Sequence, residues 1–139
     1  MNKNTKISEI MSTNLITLHP KDNLKRAKEI FKEYHIHHIP ICVMNDIRGI
    51  LSLGDILYLE GMVLDSFDQF LKDKKSINTP VEDVMTRNPY CIASTENIGA
   101  AIEIMLTKRV NALPVVDNDN LVGLITTRDI LSTLHENLK

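Results

Sequence analysis

Tryptophan is absent from this sequence, and three Phe with three Tyr leave little aromatic surface. Proteins that hold single-stranded nucleic acid stack successive bases on aromatic rings, and this chain lacks that platform. A basic excess is missing too: 16 Lys and Arg stand against 18 Asp and Glu, for a formal net charge of −2. The cations are scattered rather than striped, so no nucleic-acid partner is expected. No apolar run approaches the roughly 20 residues that span a bilayer, and the lysines near the N-terminus have no apolar stretch behind them. The chain reads as cytoplasmic, with no membrane partner. Its two cysteines, Cys42 and Cys91, stand in apolar, strand-like runs, and read as reduced core thiols rather than a disulfide. A nucleophile elbow, a P-loop, His-Glu-x-x-His and Cys-x-x-Cys are all absent. No enzyme is expected, and no cofactor.

What is present is a repeat. Residues 7–57 align onto 81–131 without a gap, with 11 identities in the 51 positions. Asp46–Leu57 and Asn120–Leu131 carry the clearest copy, where Gly49/Gly123, Ser52/Thr126, Asp55/Asp129, Ile56/Ile130 and Leu57/Leu131 coincide. Pro40/Pro114 and Met11/Met85 recur as well. Proline and glycine kept at positions with backbone meaning indicate a duplication. The chain divides as 1–76, a first copy with a helical connector, and 77–139, a second copy.

Each copy opens with a short helix; in the second, Thr79 is the expected N-cap, with Pro80 at the first helical position. A short strand follows, at Leu15–Leu18 or Tyr90–Ala93. Polar clusters at 20–23 and 94–97 then cap an amphipathic helix. Leu24, Ala27, Ile30, Phe31 and Tyr34 share its apolar face, as do Ile98, Ala101, Ile104 and Met105 in the second copy. Two strands in hairpin order come next, His38–Met44 with Ile47–Ser52, and Ala112–Val116 with Leu121–Thr126. A closing helix starts at Ser52 or Thr126. The order is therefore a short helix, then β-α-β-β-α. Between the copies, Leu59, Val63, Phe67, Phe70 and Leu71 are spaced for a helix continuing past Leu57, with a bend at Gly61.

The strand with proline second (Ile39-Pro40, Leu113-Pro114), the Gly-x-x-[Ser/Thr]-x-x-Asp step and the Met-[Ser/Thr] opening form an ordered set, found twice. It resembles the paired cystathionine-β-synthase (CBS) domain module, over roughly residues 6 to 135. The resemblance implies an α/β (α+β) fold of tandem CBS repeats packed as a pseudo-two-fold disc. It implies clefts between the repeats that take an adenine nucleotide or related adenosyl ligand, and a homodimer. It also implies a stand-alone regulatory module acting on an unidentified target protein. The competing reading is a structural or interaction module whose clefts no longer bind.

Ser52-x-x-Asp55 and Thr126-x-x-Asp129 can be read as helix caps. The same groups suit a ribose and a phosphate, and the resemblance gives Asp the ribose and Ser or Thr the phosphate. Tyr34-His35-Ile36-His37-His38-Ile39 puts three imidazoles in four residues. His35 and His37 face one way and His38 the other, so a metal is not expected. A polar loop remains open, and the resemblance places His37 and His38 near phosphate. Their counterparts are Asn111 and Ala112, so the two copies differ. Arg128, opposite Gly54 in the alignment, either grips phosphate or projects into solvent. By resemblance Thr17 and Cys91 border the adenine, with Ile16, Tyr90, Ile39 and Leu113 as walls beside Pro40 and Pro114. Plain core packing is the competing reading for these.

Overall fold

The computed structural model describes residues 2–64 and 78–139. In chain order the elements are α1 (Ile7–Ile10), α2 (Leu24–Tyr34), β1 (His38–Val43), β2 (Asp46–Ser52) and α3 (Leu53–Leu64). A 3-10 turn at Val81–Asp83 and β3 (Thr86–Arg87) open the second repeat, followed by α4 (Ile98–Lys108), β4 (Ala112–Asp117), β5 (Asn120–Thr126) and α5 (Thr127–Asn137). The second opening is thus a single 3-10 turn, capped at Pro80 rather than Thr79. The connector helix runs out of Leu57 as far as Leu64. Residues 65–77, where its expected continuation falls, lie outside the described residues.

The amphipathic helices are capped alike. Asn23 accepts from Arg26 N and Asn97 from Ala100 N, each at 2.9 Å, which satisfies one free N–H of the first turn. Leu24, Ala27, Ile30 and Phe31 are buried on one helix and Ile98, Ala101 and Met105 on the other. Tyr34 was expected on that face but is 50% exposed. It is the last residue of α2, and His35 then turns into the left-handed region at φ 54°, so Tyr34 has no further turn to cover it. Asn118 and Asp119 both take positive φ between β4 and β5, the conformation that two-residue hairpin turns require.

The expected strands Leu15–Leu18 and Tyr90–Ala93 each shrink to one parallel bridge, Leu18 with Ile41 and Ile92 with Val115. Proline is the reason. Leu18 donates to Pro40 O at 3.1 Å and accepts from Cys42 N at 2.8 Å. The next rung would need Pro40 to donate to the carbonyl of Ile16, and proline has no N–H. Pro114 ends the ladder at Ile92 in the same way. The segments at 16–17 and 90–91 are thereby released from the sheet.

The chain forms two compact units that do not follow the sequence repeats. One consists of the described parts of Ile16–Met44 and Arg48–Asn88; the other of the described part of Met1–Leu15 with Asn45–Ile47 and Pro89–Lys139. We refer to these as the first-repeat and second-repeat units, after the helix and hairpin at their centres. Each contains the opening segment of the opposite repeat. In the first-repeat unit Val81 is fully buried with Leu24, Ile30, Ile39 and Leu51, and its N–H donates to Asp22 O at 2.7 Å. In the second-repeat unit Ile7 is fully buried with Ile98, Leu113 and Ile125, and donates to Glu96 O at 2.8 Å. Val81 is equivalent to Ile7 and Asp22 to Glu96, each at the 74-residue offset of the repeat, so one interaction is made twice.

The exchanged segments then cross a glycine. β3 pairs antiparallel with β2, Arg87 opposite Gly49 and Thr86 opposite Ile50; Ser12 bridges Leu124 in the other unit. A Cβ on Gly49 would lie 2.5 Å from Met85 Sδ and 2.7 Å from Thr86 O. On Gly123 it would lie 2.6 Å from Met11 Sδ but 3.0 Å from Ser12 O. A thioether can swing away, whereas a backbone oxygen held in a ladder cannot. Gly49→Ala is therefore expected to cost about 1–3 kcal/mol, the range for overpacking, and Gly123→Ala distinctly less. Urea denaturation of the two variants checks the order; equal losses, or a gain at Gly49, would contradict it.

Candidate functional site

The step from hairpin to closing helix is built alike in both units. Ser52 N donates to Asp55 Oδ2 at 2.9 Å, and Ser52 Oγ accepts from Asp55 N at 2.9 Å. Thr126 N donates to Asp129 Oδ2 at 2.8 Å, and Thr126 Oγ1 accepts from Asp129 N at 3.2 Å. These are reciprocal caps, so the structural half of the sequence reading holds at both steps. Oδ2 carries the cap in each case. The carboxylates are only half-buried, and a carboxylate oxygen has more than one lone pair, so capping leaves them able to accept from a ligand.

Backbone contacts bring the other candidates to the same place. Leu53 N donates to His37 O at 2.9 Å, and Thr127 N to Asn111 O at 3.0 Å. Each closing helix thus starts beside the chain that enters β1 or β4. In the second-repeat unit Ala112 pairs with Thr126 and Leu113 with Ile125, while Ile92 bridges Val115. Ahead of that bridge Tyr90 and Cys91 run, parallel to β4, toward the end where Ala112 and Thr126 pair. Tyr90, Cys91, Thr126, Arg128 and Asp129 therefore gather at one sheet end. Ile16, Thr17, His37, His38, Ser52 and Asp55 gather at the corresponding end of the first-repeat unit.

Burial sorts the candidates. Ile39 and Leu113 are fully buried, and Pro40 and Pro114 are buried beside them, so these four side chains belong to the cores. Thr17, His37, Tyr90, Cys91 and Arg128 are exposed, and Ile16, His38, Ser52 and Thr126 are partly so. Cys91 was expected in the core; only Cys42 is there, and the two form no disulfide. Cys91 Sγ donates to Pro89 O at 3.3 Å, and desolvation holds its pKa above the ordinary thiol value. At neutral pH it stays a thiol and is a poor nucleophile. Among the described residues no group of three or more His, Cys, Asp or Glu could hold a metal ion.

The unit ends differ in charge and aromaticity. His37 and His38 in one are Asn111 and Ala112 in the other, and Gly54 is replaced by Arg128. Lys108, which the sequence reading passed over, closes α4 and places its Nζ 5.4 Å from the centroid of the Tyr90 ring. Its counterpart in the first repeat is Tyr34, and that of Tyr90 is Ile16. Both positions of the pair change together, which is a signal the repeat alignment carries.

A family model described as the CBS domain matches residues 7–60 and 81–136. Inosine-5'-monophosphate dehydrogenase of Methanocaldococcus jannaschii is 33% identical over 128 residues, covering 91% of this chain and 23% of its own. The chain spans less than half the length of the first curated relatives it matches. Among solved structures, the CBS domain pair of protein MJ0100, in complex with 5'-methylthioadenosine and S-adenosyl-L-methionine, is 26% identical with a TM-score of 0.78. It covers 97% of this chain and 98% of its own. CBSX2 in complex with AMP superposes with a TM-score of 0.79 at 22% identity, covering 97% and 99%.

His38 gives its site a pH signature. Burial lowers its pKa from 6.5, the neighbouring His37 lowers it further, and Asp55 opposes both. The folded state therefore prefers neutral imidazole, while the unfolded chain takes up the proton as the pH falls through about 6.5. Stability is lost in that window and not above it. His38→Gln removes this component, so its melting temperature should fall less than that of the wild type between pH 7.5 and 5.5. Parallel curves for the two proteins would contradict the assignment.

Proposed function

The chain belongs to the CBS domain family, and on that premise we propose that it is a regulatory module binding an adenine nucleotide or adenosyl ligand. The observation that carries this is the duplicated helix start. A half-buried carboxylate, a hydroxyl and a helix N-terminus meet the released 16–17 or 90–91 segment at one sheet end. Asp55 and Asp129 suit ribose hydroxyls, which donate to a carboxylate. Ser52, Thr126 and the helix N-termini suit a phosphate or another anionic group. Nothing in this arrangement needs to break a bond. The ligand would act by favouring one conformation over another, with an effect limited by its difference in affinity for the two. The complexes of MJ0100 and CBSX2 with adenosyl compounds and AMP support the ligand class.

The same reading includes a cytoplasmic homodimer acting on a target protein. Among the described residues no helix is long and apolar enough to cross a membrane. Leu57 and Tyr58 on α3, Leu131 and Leu134 on α5, and Leu138 at its C-cap are exposed apolar side chains at the closing helices. Such surface often marks an interface. Light scattering at micromolar concentration is expected to give twice the chain mass, and Leu131→Glu to reduce it; a monomer in the wild type would contradict the dimer.

The ligand is tested by thermal shift with AMP, ADP, ATP and S-adenosylmethionine. A compound that binds only the folded state raises the melting temperature. Asp55→Asn and Asp129→Asn should lose similar, small amounts of stability as caps, about 1 kcal/mol or less. Asp129→Asn should cost more of the ligand-induced shift, because Asp129 follows Arg128 whereas Asp55 follows Gly54. No shift with any of the four would instead favour an interaction module without a ligand.

A further inference from the structure

Resting on that binding reading, we propose that residues 88–91 form a stiff strap through which occupancy of one strand-to-helix end alters binding at the other. The chain passes from the first-repeat unit to the second between Asn88 and Pro89. On one side of that step, β3 is anchored to the first-repeat core. Its ladder to β2 joins Arg87 to Gly49 and Thr86 to Ile50. Val81 and Met85 are buried just before it, and Arg87 Nη2 donates to Glu82 O at 3.1 Å. Past Ile50, β2 ends at Ser52, the cap of α3. On the other side Ile92 is fixed to β4, donating to Pro114 O at 3.0 Å and accepting from Val116 N at 2.9 Å.

Little in between can yield. Asn88 holds φ 50°, a left-handed conformation that asparagine adopts and most residues avoid. Pro89 has its φ locked by the ring. Cys91 Sγ donates to Pro89 O at 3.3 Å, and Lys108 Nζ stands 5.4 Å from the centroid of the Tyr90 ring. A ligand at Ser52 and Asp55 that displaces β2 moves β3 through their paired rungs, and the strap carries the movement to Tyr90 and Cys91. The equivalent link, at 13–17, is slacker. Ser12 makes a single bridge to Leu124, where β3 makes two pairs. Leu15 stands where the second copy has Pro89, and Asn14 stays outside the left-handed region. One link of the two therefore carries the coupling, whose size is the same read from either ligand position.

A route of this kind is established by measured coupling rather than by position. Amide NMR of the full chain without ligand tests the strap itself. Gly49→Ala pushes on Thr86 O, which an added Cβ would approach to 2.7 Å, and the Tyr90 and Cys91 amides should shift. Should that variant not fold, Arg87→Ala, which removes the bond to Glu82 O, is the second perturbation. Made in Pro89→Leu, which copies the first repeat, or in Asn88→Gly, the same change should leave both amides where they stand in the parent. Leu15→Ala should leave the wild-type response intact. Shifts that never arise, or that persist in Pro89→Leu, would overturn the strap. With AMP, the midpoint is then followed at the amides of residues 126–129. Asp55→Asn should change it about fivefold or more in the wild-type background, and less than about twofold in Pro89→Leu. Equal changes in the two backgrounds would overturn the coupling while leaving the binding reading intact. No response to AMP in the wild type would overturn the binding reading, and the ligand-free shifts would still decide whether the strap transmits.

Discussion

Each unit of this protein is closed by a short segment belonging to the other repeat. Val81 fills the core around Leu24, Ile30 and Leu51, and Ile7 fills that around Ile98, Leu113 and Ile125. Burying a branched aliphatic side chain completely contributes roughly 1.5–3 kcal/mol, a sizeable share of the margin of a small domain. The same segments carry Met85 and Met11 against Gly49 and Gly123, where an added Cβ would crowd the thioethers. Around Val81, Lys21 pairs with Glu82 and Arg87 donates to Glu82 O. These exposed charges hold the segment in register more than they stabilise it. Neither unit is a continuous stretch of chain, so neither repeat contains its own complete core.

From that exchange follows the placing of the candidate sites. With the opener supplying part of the core and of the sheet edge, the hairpin strands β1 and β4 need not be paired along their full length on the other side. Pro40 and Pro114 end that pairing after one bridge. The chain at 16–17 and 90–91 then reaches the sheet end untied, beside helices that begin with reciprocal caps. A sheet end with a free segment and a helix N-terminus is suited to a polar, partly flat ligand. The caps and the proposed binding role are compatible because Asp55 and Asp129 use Oδ2 for the helix.

Much of this is legible in the sequence because it depends on local chemistry. Asn23, Asn97, Ser52 and Thr126 cap the helices where the residue types suggest, and Asn118-Asp119 turns the second hairpin. Spacing finds the buried faces of α2 and α4 for the same reason. What the sequence conceals is long-range. Nothing near Val81 or Ile7 says that its core partner lies in the opposite copy. The missing rungs at Ile16 and Tyr90 follow from proline in a strand that becomes a neighbour only after folding. Tyr34 fits the apolar spacing but lies where α2 stops, and Cys91 has strand-like neighbours but no strand. Lys108 carries no motif; its meaning depends on a ring 18 residues earlier in the chain.

The central claim is that an adenine ligand is held at the two strand-to-helix ends, and amide NMR addresses it most directly. In a titration of isotopically labelled protein with AMP, the account predicts shifts concentrated in two sets of amides. They are those of residues 16–17, 37–38 and 52–55, and of 90–91, 111–112 and 126–129, with the second set responding at lower ligand concentration. Shifts confined to the outer faces of α2 and α4, or a spectrum unchanged at millimolar AMP, would contradict it.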